Sequence, residues 1–387
     1  MGLQWDGDAR GFERRFGSGG KLLFAAAPGC VNLMGERAGL HEGFALPVAI
    51  DRHVRAVGRA RDDSTVRIGS ATLRGEARFD LSAPTSEAQG WVRRAEIAIR
   101  LALEGVSKPR GFDLWLDSDL PVGRGLGSST AAMAAVSKVA AAANGLAPDP
   151  LDFARSLQLA EERFSGAACG PIDALAALLG RRGHALLADC RSLETRAVVL
   201  PAGWSLVLLD SGVHHDLFAS ELHRRRVECA QVLRLLRAAD PGLRSLRDVR
   251  SERLEEVAGR ADATCLRRCR HVVTEDERVH RVAAALAAAD VRAVGELFAA
   301  SHRSLRENYQ SVAPEIEALV DAAARTPGCL AARPTGGGFG DCTVNLVDSG
   351  QTETFVAAAS AHFRAATGRE ARAVVVTAAD GVLAGSS

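Results

Sequence analysis

The chain has 387 residues, more than one ordinary core organises, so two domains of about 200 residues each are expected. Hydrophobic residues make up 47% and charged residues 25%, the mix of a soluble globular protein. A formal net charge of +1 gives no overall field to attract nucleic acid or an anionic membrane, so neither is an expected partner.

The start, MGLQWDGDARGFERRF, is charged and has no apolar signal-peptide core, which makes the cytoplasm the expected location. Residues 22–27, 44–58 and 64–80 carry short apolar or alternating runs broken by Gly and charged turns, the pattern of strands. Residues 88–105 have helical spacing. GFDLWLDSDL (111–120) alternates as a strand and runs into a glycine-rich loop, which opens a long Ala-rich helix. That helix, 130–147, is interrupted by Lys138 and Asn144, so it falls short of the roughly 20 strongly apolar residues of a membrane span. Helices are predicted over 150–164 and after Pro171, and strands over 184–190 and 204–212. From 218 to 326 apolar residues recur every three or four positions, as in helices, and the tail returns to strands at 342–348 and 371–378 around a helix at 351–366.

Strands and helices alternate without a regular βαβ rhythm, which favours an α+β fold. The break at Leu200-Pro201-Ala202-Gly203 suggests domains of 1–200 and 201–387. Eight cysteines (30, 169, 190, 229, 265, 269, 329 and 342) include no CxxC pair. Cys265 and Cys269 are one helical turn apart without a second ligand pair nearby, so free thiols are expected rather than zinc.

PVGRGLGSSTAAM (121–133) is the most informative stretch. Gly123, Gly125 and Gly127 let backbone N–H groups approach an anion without a Cβ in the way, and the helix that follows adds about half a positive charge at its N-terminus. Ser128 and Ser129 can cap the helix or ligate Mg²⁺. By itself such a loop is also compatible with a plain strand–helix turn. Neither Walker A nor the dinucleotide GxGxxG pattern fits it.

The loop resembles the PxGxGLxSS signature of GHMP kinases, and the resemblance, closest to the galactokinase branch, covers most of the chain. APGCVNLMGERAGLHEGFALPVAID (27–51) is similar to the branch's N-terminal signature. AEERFSGAACGPIDALAALLG (160–180) resembles the segment carrying its catalytic aspartate, and RPTGGGFGDCTVNLV (333–347) its third motif. Further similar blocks lie at 183–194, 210–229, 274–279 and 301–309. The resemblance implies a ribosomal-S5-like N-terminal domain, a ferredoxin-like C-terminal domain, and ATP and Mg²⁺ as cofactors. It implies a nucleotide held by Pro121, Gly123, Gly125, Leu126, Gly127, Ser128, Ser129 and Thr130, with Gly336, Gly337 and Gly338 packing over the triphosphate. Ser129 and Glu161 would hold Mg²⁺, and Asp173, beside Gly170, would act as general base or electrostatic guide for the acceptor hydroxyl. Read alone, Asp173 is more simply a first-turn carboxylate favoured by its helix dipole, and Glu161 has the alternative of a solvated helix residue like Glu162. His214-His215 reads as a surface turn and 224–226 as a solvated arginine face.

The acceptor side departs from the branch. Glu36 is kept, but Cys30 stands where the branch has an arginine, Arg37 where it has a sugar-binding histidine, Gly39 where it has a sugar-binding aspartate, and Leu222 where it has a pocket tyrosine. Each lost charge-assisted bond to a sugar hydroxyl is worth about 1.5–3 kcal/mol, so the acceptor is expected to differ from galactose. Arg37 and His41 add donors suited to an anionic acceptor, with Glu42 acting against that. The expectation is a kinase for a sugar, modified sugar, sugar phosphate or cyclitol, as a monomer or weak homodimer. An authentic galactokinase and a non-catalytic sugar and ATP sensor are the alternatives.

Overall fold

A computed structural model of the chain describes residues 5–73, 75–121, 123–166, 169–213, 218–336 and 342–386. In chain order the first elements are α1 (Asp6–Phe16), β1 (Leu23–Asn32), β2 (Phe44–Ala45), β3 (Pro47–Ala60), β4 (Thr65–Ser70) and β5 (Glu76–Asp80). Next come α2 (Gly90–Ala102), β6 (Phe112–Ser118), α3 (Ser128–Ala143), α4 (Pro150–Ser165) and α5 (Ile172–Leu179). They are followed by β7 (His184–Asp189), β8 (Thr195–Val199), β9 (Trp204–Asp210), α6 (Phe218–Arg237), α7 (Ala263–Ala287) and α8 (Val291–Ser304). The last are α9 (Pro314–Ala324), β10 (Cys329–Thr335), β11 (Cys342–Asp348), α10 (Thr352–Thr367), β12 (Arg372–Val376) and β13 (Leu383–Ser386).

Contacts divide the chain into two compact units, one of Met1–Cys30, Ala49–Gly180 and Ala379–Ser387, the other of Val31–Val48 and Arg181–Ala378. The single boundary expected near 200 is therefore replaced by four crossings. Long-range strand pairing is the reason. The C-terminal β13 pairs with β1 (Leu23↔Ser386), and β2 pairs with β7 (Phe44↔Asp189), choices that local hydrophobic patterns do not encode.

The first unit carries most of a six-stranded sheet in the order β13-β1-β3-β6-β4-β5. β3 and β6 run antiparallel (Val54↔Ser118) while β4 and β6 run parallel (Val66↔Phe112), so the sheet is mixed and the α+β expectation holds. The alanines of α3 let it lie close: Ala134, Ala135 and Ala140 are fully buried, and a Cβ at Gly58 of β3 would collide with Val139. The charged N-terminal stretch forms the amphipathic α1, which buries Phe12.

The second unit holds a three-stranded sheet, β2-β7-β8, and a four-stranded sheet, β10-β11-β9-β12. Val207, Leu209, Ile316, Leu319, Phe355 and Phe363 fill the core between the larger sheet and its helices. Val232, Leu236, Leu254, Cys269 and Val272 form a separate helical core. The helical run expected over 218–326 breaks after α6 into short 3₁₀ turns, and α7 restarts where Asp262 accepts from the N–H groups of Thr264 and Cys265. All eight cysteines are free thiols. Among the described residues no helix is long and apolar enough to cross a membrane.

Candidate active site

In the first unit the glycine-rich loop joins β6 to α3. Gly123, Gly125 and Gly127 have φ of 72°, 66° and 68°, left-handed values that a side chain resists. Gly127 is the N-cap of α3 and, having no side chain, makes no side-chain cap bond, so among the described residues the first-turn N–H groups could face a ligand. Leu126 is buried and its carbonyl accepts from the Cys30 N–H at 3.0 Å, which ties the loop to the end of β1. Thr130 is buried, whereas Pro121, Ser128 and Ser129 are half-buried.

Asp173 lies in the first turn of α5, two residues after Pro171 and beyond a half-buried Gly170. The Cys30 thiol donates to Asp173 Oδ1 at 3.1 Å. A Cβ at Gly127 would stand 3.2 Å from Cys30 Sγ and 3.5 Å from Asp173 Cγ, so loop, thiol and carboxylate form one packed cluster. Burial pushes the Asp173 pKa up, and the Cys30 bond partly offsets it.

Ser129 and Glu161 are joined by a third residue that the sequence reading did not single out. Arg94 of α2 donates from Nη1 to Ser129 Oγ at 2.6 Å, and its Nη2 lies 3.3 Å from Glu161 Oε1. Its guanidinium stacks over Phe164 at 4.0 Å. Glu161 Oε2 is buried and has no hydrogen-bond partner among the described residues, so an acceptor lone pair is left over, as a site for a hard cation needs. Glu162 is not a free solvated carboxylate, because its Oε1 accepts from the Cys169 N–H at 3.2 Å and holds the turn before α5.

Beside Ser128 and Ser129 a cleft is lined by Leu73, Trp91, Arg94, Leu116, Met133 and Val136. Its apolar walls suit a flat heterocycle. The signal available in the sequence was Trp91, a tryptophan placed on an amphipathic helix one turn from an arginine.

In the second unit the acceptor signature folds as a pinned loop. Arg37 (φ 76°) and Glu42 (φ 61°) are left-handed on either side of a 3₁₀ turn, Ala38–His41, in which Gly39 is buried. Such backbone costs about 1–2 kcal/mol per non-glycine residue and persists only where its surroundings hold it. Here they do: Arg191 bonds Glu42 Oε2 at 2.7 Å, and Arg247 donates to the Glu42 carbonyl at 3.1 Å. Glu42 is thus committed to an ion pair.

Glu36 is buried, and burial raises its pKa against the opposing charges of Arg333 and Arg37. Arg333 is fully buried, 3.7 Å from Glu36 Oε1 and 3.6 Å from Glu275 Oε1, and it donates to the carbonyls of Asn32 and Leu33. Burial lowers the His271 pKa to about 4, leaving a neutral ring between the Glu36 carbonyl (3.0 Å) and Ser304 Oγ (3.0 Å).

Arg37 is 7% exposed and its guanidinium sits 5.9 Å from the centre of the Tyr309 ring. Arg225 lies over the same ring at 5.8 Å and bonds the carbonyls of Tyr309 and Gln310. Arg225 is therefore buried rather than part of a solvated arginine face, and half-buried Leu222 precedes it by less than one turn of α6. Gly336 (φ 83°) follows β10, while Gly337, Gly338, His214 and His215 lie outside the described residues.

The chain and its glycine-rich loop are matched by known families. Residues 92–181 fit the model described as GHMP kinases N terminal domain and 282–365 that described as GHMP kinases C terminal. Residues 10–60 fit the galactokinase galactose-binding signature. The galactokinase of Chloroflexus aggregans is 42% identical over 372 residues, 96% of this chain and 95% of that protein. The galactokinase of Canis lupus familiaris is 38% identical over 353 residues, 89% of this chain and 88% of the relative. The crystal structure of Lactococcus lactis galactokinase complexed with galactose superposes with a TM-score of 0.92 at 26% identity, covering 97% of this chain and 98% of that one.

The chain therefore belongs to the GHMP kinase family and, within it, to the galactokinase-like branch. It is an ATP-dependent phosphotransferase with an alcohol group as acceptor.

Proposed function

We propose that this kinase uses Mg²⁺ and transfers the γ-phosphate to an acceptor other than galactose: a modified sugar, a sugar phosphate, or a cyclitol or its phosphate. The observation that carries the reading is buried Arg37 beside buried Gly39, where the branch would place a histidine and an aspartate. A guanidinium held in strained backbone and a missing carboxylate exchange acceptors for donors, which suits an acceptor carrying phosphate or carboxylate.

In this reading the phosphate loop and the uncapped end of α3 bind the triphosphate, and the Trp91 cleft takes the base. Ser129 and Glu161 hold Mg²⁺, which supplies neutralisation of the phosphate charge. Asp173 accepts the proton of the acceptor hydroxyl, with Cys30 fixing Oδ1, and Glu36 bonds a second hydroxyl. The protein works in the cytoplasm as a monomer or weak homodimer.

Galactose itself is the second reading, favoured by the match of residues 10–60 to the galactose-binding signature. ADP release measured over a panel of sugars, sugar phosphates and cyclitols separates the two. Efficient turnover of galactose with a KM of about 1 mM or below, as is usual for enzymes, restores the second reading.

A further inference from the structure

Arg94 brings a cation to the start of α3, and it comes from α2 rather than from the end of β1, where Cys30 stands. Four features of its setting bear on a ligand. One edge of the guanidinium spans Ser129 Oγ (2.6 Å) and Glu161 Oε1 (3.3 Å), the two groups assigned to Mg²⁺. One face stacks on Phe164 at 4.0 Å, which fixes the plane and leaves the edges for bonding. The side chain lines the cleft of Trp91 and Met133, so it borders the space assigned to the nucleotide base. Its Nε–H is buried without a partner among the described residues, a donor left over beside the equally unpartnered Glu161 Oε2.

A buried unsatisfied donor is costly, and a phosphate oxygen is the partner a guanidinium fork fits best. Ser129 and Glu161 cannot hold Arg94 and a divalent cation in the same places at once. We propose that Arg94 is a nucleotide-contacting residue: in the ligand-free site it occupies Ser129 and Glu161, and with nucleotide bound it moves to triphosphate oxygens and releases those two groups to Mg²⁺. A positive charge at the phosphates then comes from helix α2, and the arginine absent at position 30 is replaced on the phosphate side of the site but not on the side of Asp173. No covalent bond is made or broken in this exchange.

The inference rests on the assignment of Ser129 and Glu161 to Mg²⁺, and its test uses no acceptor. Calorimetry on the full chain would measure adenosine, ADP and ATP binding to the wild type, Arg94→Gln and Arg94→Lys, in EDTA and then with Mg²⁺. In EDTA, Arg94→Gln should weaken ATP at least about tenfold, as loss of a charge-assisted bond implies, with Arg94→Lys weakened less and adenosine unchanged. An unchanged ATP affinity in Arg94→Gln at an unchanged Tm overturns the proposal, and so does an equal weakening of adenosine and ATP, which would make Arg94 a wall of the cleft only. Glu161→Gln serves as the control: if it keeps the wild-type gain on adding Mg²⁺, the metal assignment fails while the Arg94 contact to ATP stands.

Discussion

The Cys30 thiol donates to Asp173 Oδ1 at 3.1 Å, in a cluster closed by Gly127 of the phosphate loop. A thiol fixes a carboxylate as a donor but brings no positive charge. Asp173 is therefore governed by burial, which raises its pKa, with only the thiol bond pulling the other way. Among the described residues Glu161 and Cys169 sense its charge, and neither is cationic.

The acid limb of turnover follows from that arrangement. A base must be ionised to work, so activity falls as pH drops through the Asp173 pKa, and the raised pKa places that fall above the ordinary carboxylate range. Cys30→Ala removes the lowering bond and should move the limb further up. Cys30→Ser should restore it, and Cys30→Arg should move it down. The check is kcat against pH in the four proteins. A limb at the same pH in all of them would mean that Cys30 does not act through Asp173.

Asp173→Asn should lower kcat by about 10²–10⁴, the usual weight of a positioned base, with ATP affinity nearly unchanged. Because the native state raises this pKa, folding binds extra protons and stability declines as pH rises through the folded value. The neutral amide escapes that decline, so the variant should melt higher than the wild type at neutral pH. Lost ATP binding or a lower Tm would make Asp173 a structural residue.

Glu161→Gln keeps the shape of the side chain and removes the charge that faces Arg94. Disturbing even an outer-shell metal partner costs about 10–100-fold in metal affinity, so the Mg²⁺ concentration for half-maximal activity should rise by at least that factor. Normal activity at limiting Mg²⁺ would remove Glu161 from the metal site.

The acceptor pocket can be tested by rebuilding it. Arg37→Ala should raise the KM of an anionic acceptor by the equivalent of roughly 2–5 kcal/mol while changing neutral acceptors much less. The combined Arg37→His, Gly39→Asp and Leu222→Tyr variant should gain at least about tenfold in kcat/KM for galactose, given 1.5–3 kcal/mol per charge-assisted bond. A triple variant that folds but gains nothing would show that these positions do not set acceptor choice.

His271 predicts a stability window. Its pKa is lowered to about 4 from 6.5, so the unfolded chain binds the proton first and stability is lost as pH falls between those values. The loss attributable to this ring is up to about 3 kcal/mol, and urea unfolding of His271→Gln beside the wild type at pH 7 and pH 5 should show a smaller pH dependence in the variant.

The sequence by itself determined the pieces whose chemistry is local. Three left-handed glycines before two serines and an Ala-rich helix can be read in one dimension, because conformational freedom and helix capping depend on neighbours a few residues apart. Most strands and helices follow for the same reason, and so does the kinase family, whose motifs are contiguous. Tertiary structure decided what depends on distant partners. β13 has no strand signal in Leu-Ala-Gly-Ser and exists because β1 offers it an edge, which is why the units interleave instead of dividing near 200. Arg225 looked solvated in an arginine run until the carbonyls of Tyr309 and Gln310 buried it. Arg94, 35 residues from Ser129 and on another helix, carries no motif at all. A guanidinium reaches about as far as packing brings its helix, and packing is set by the core of the whole unit rather than by the residues on either side.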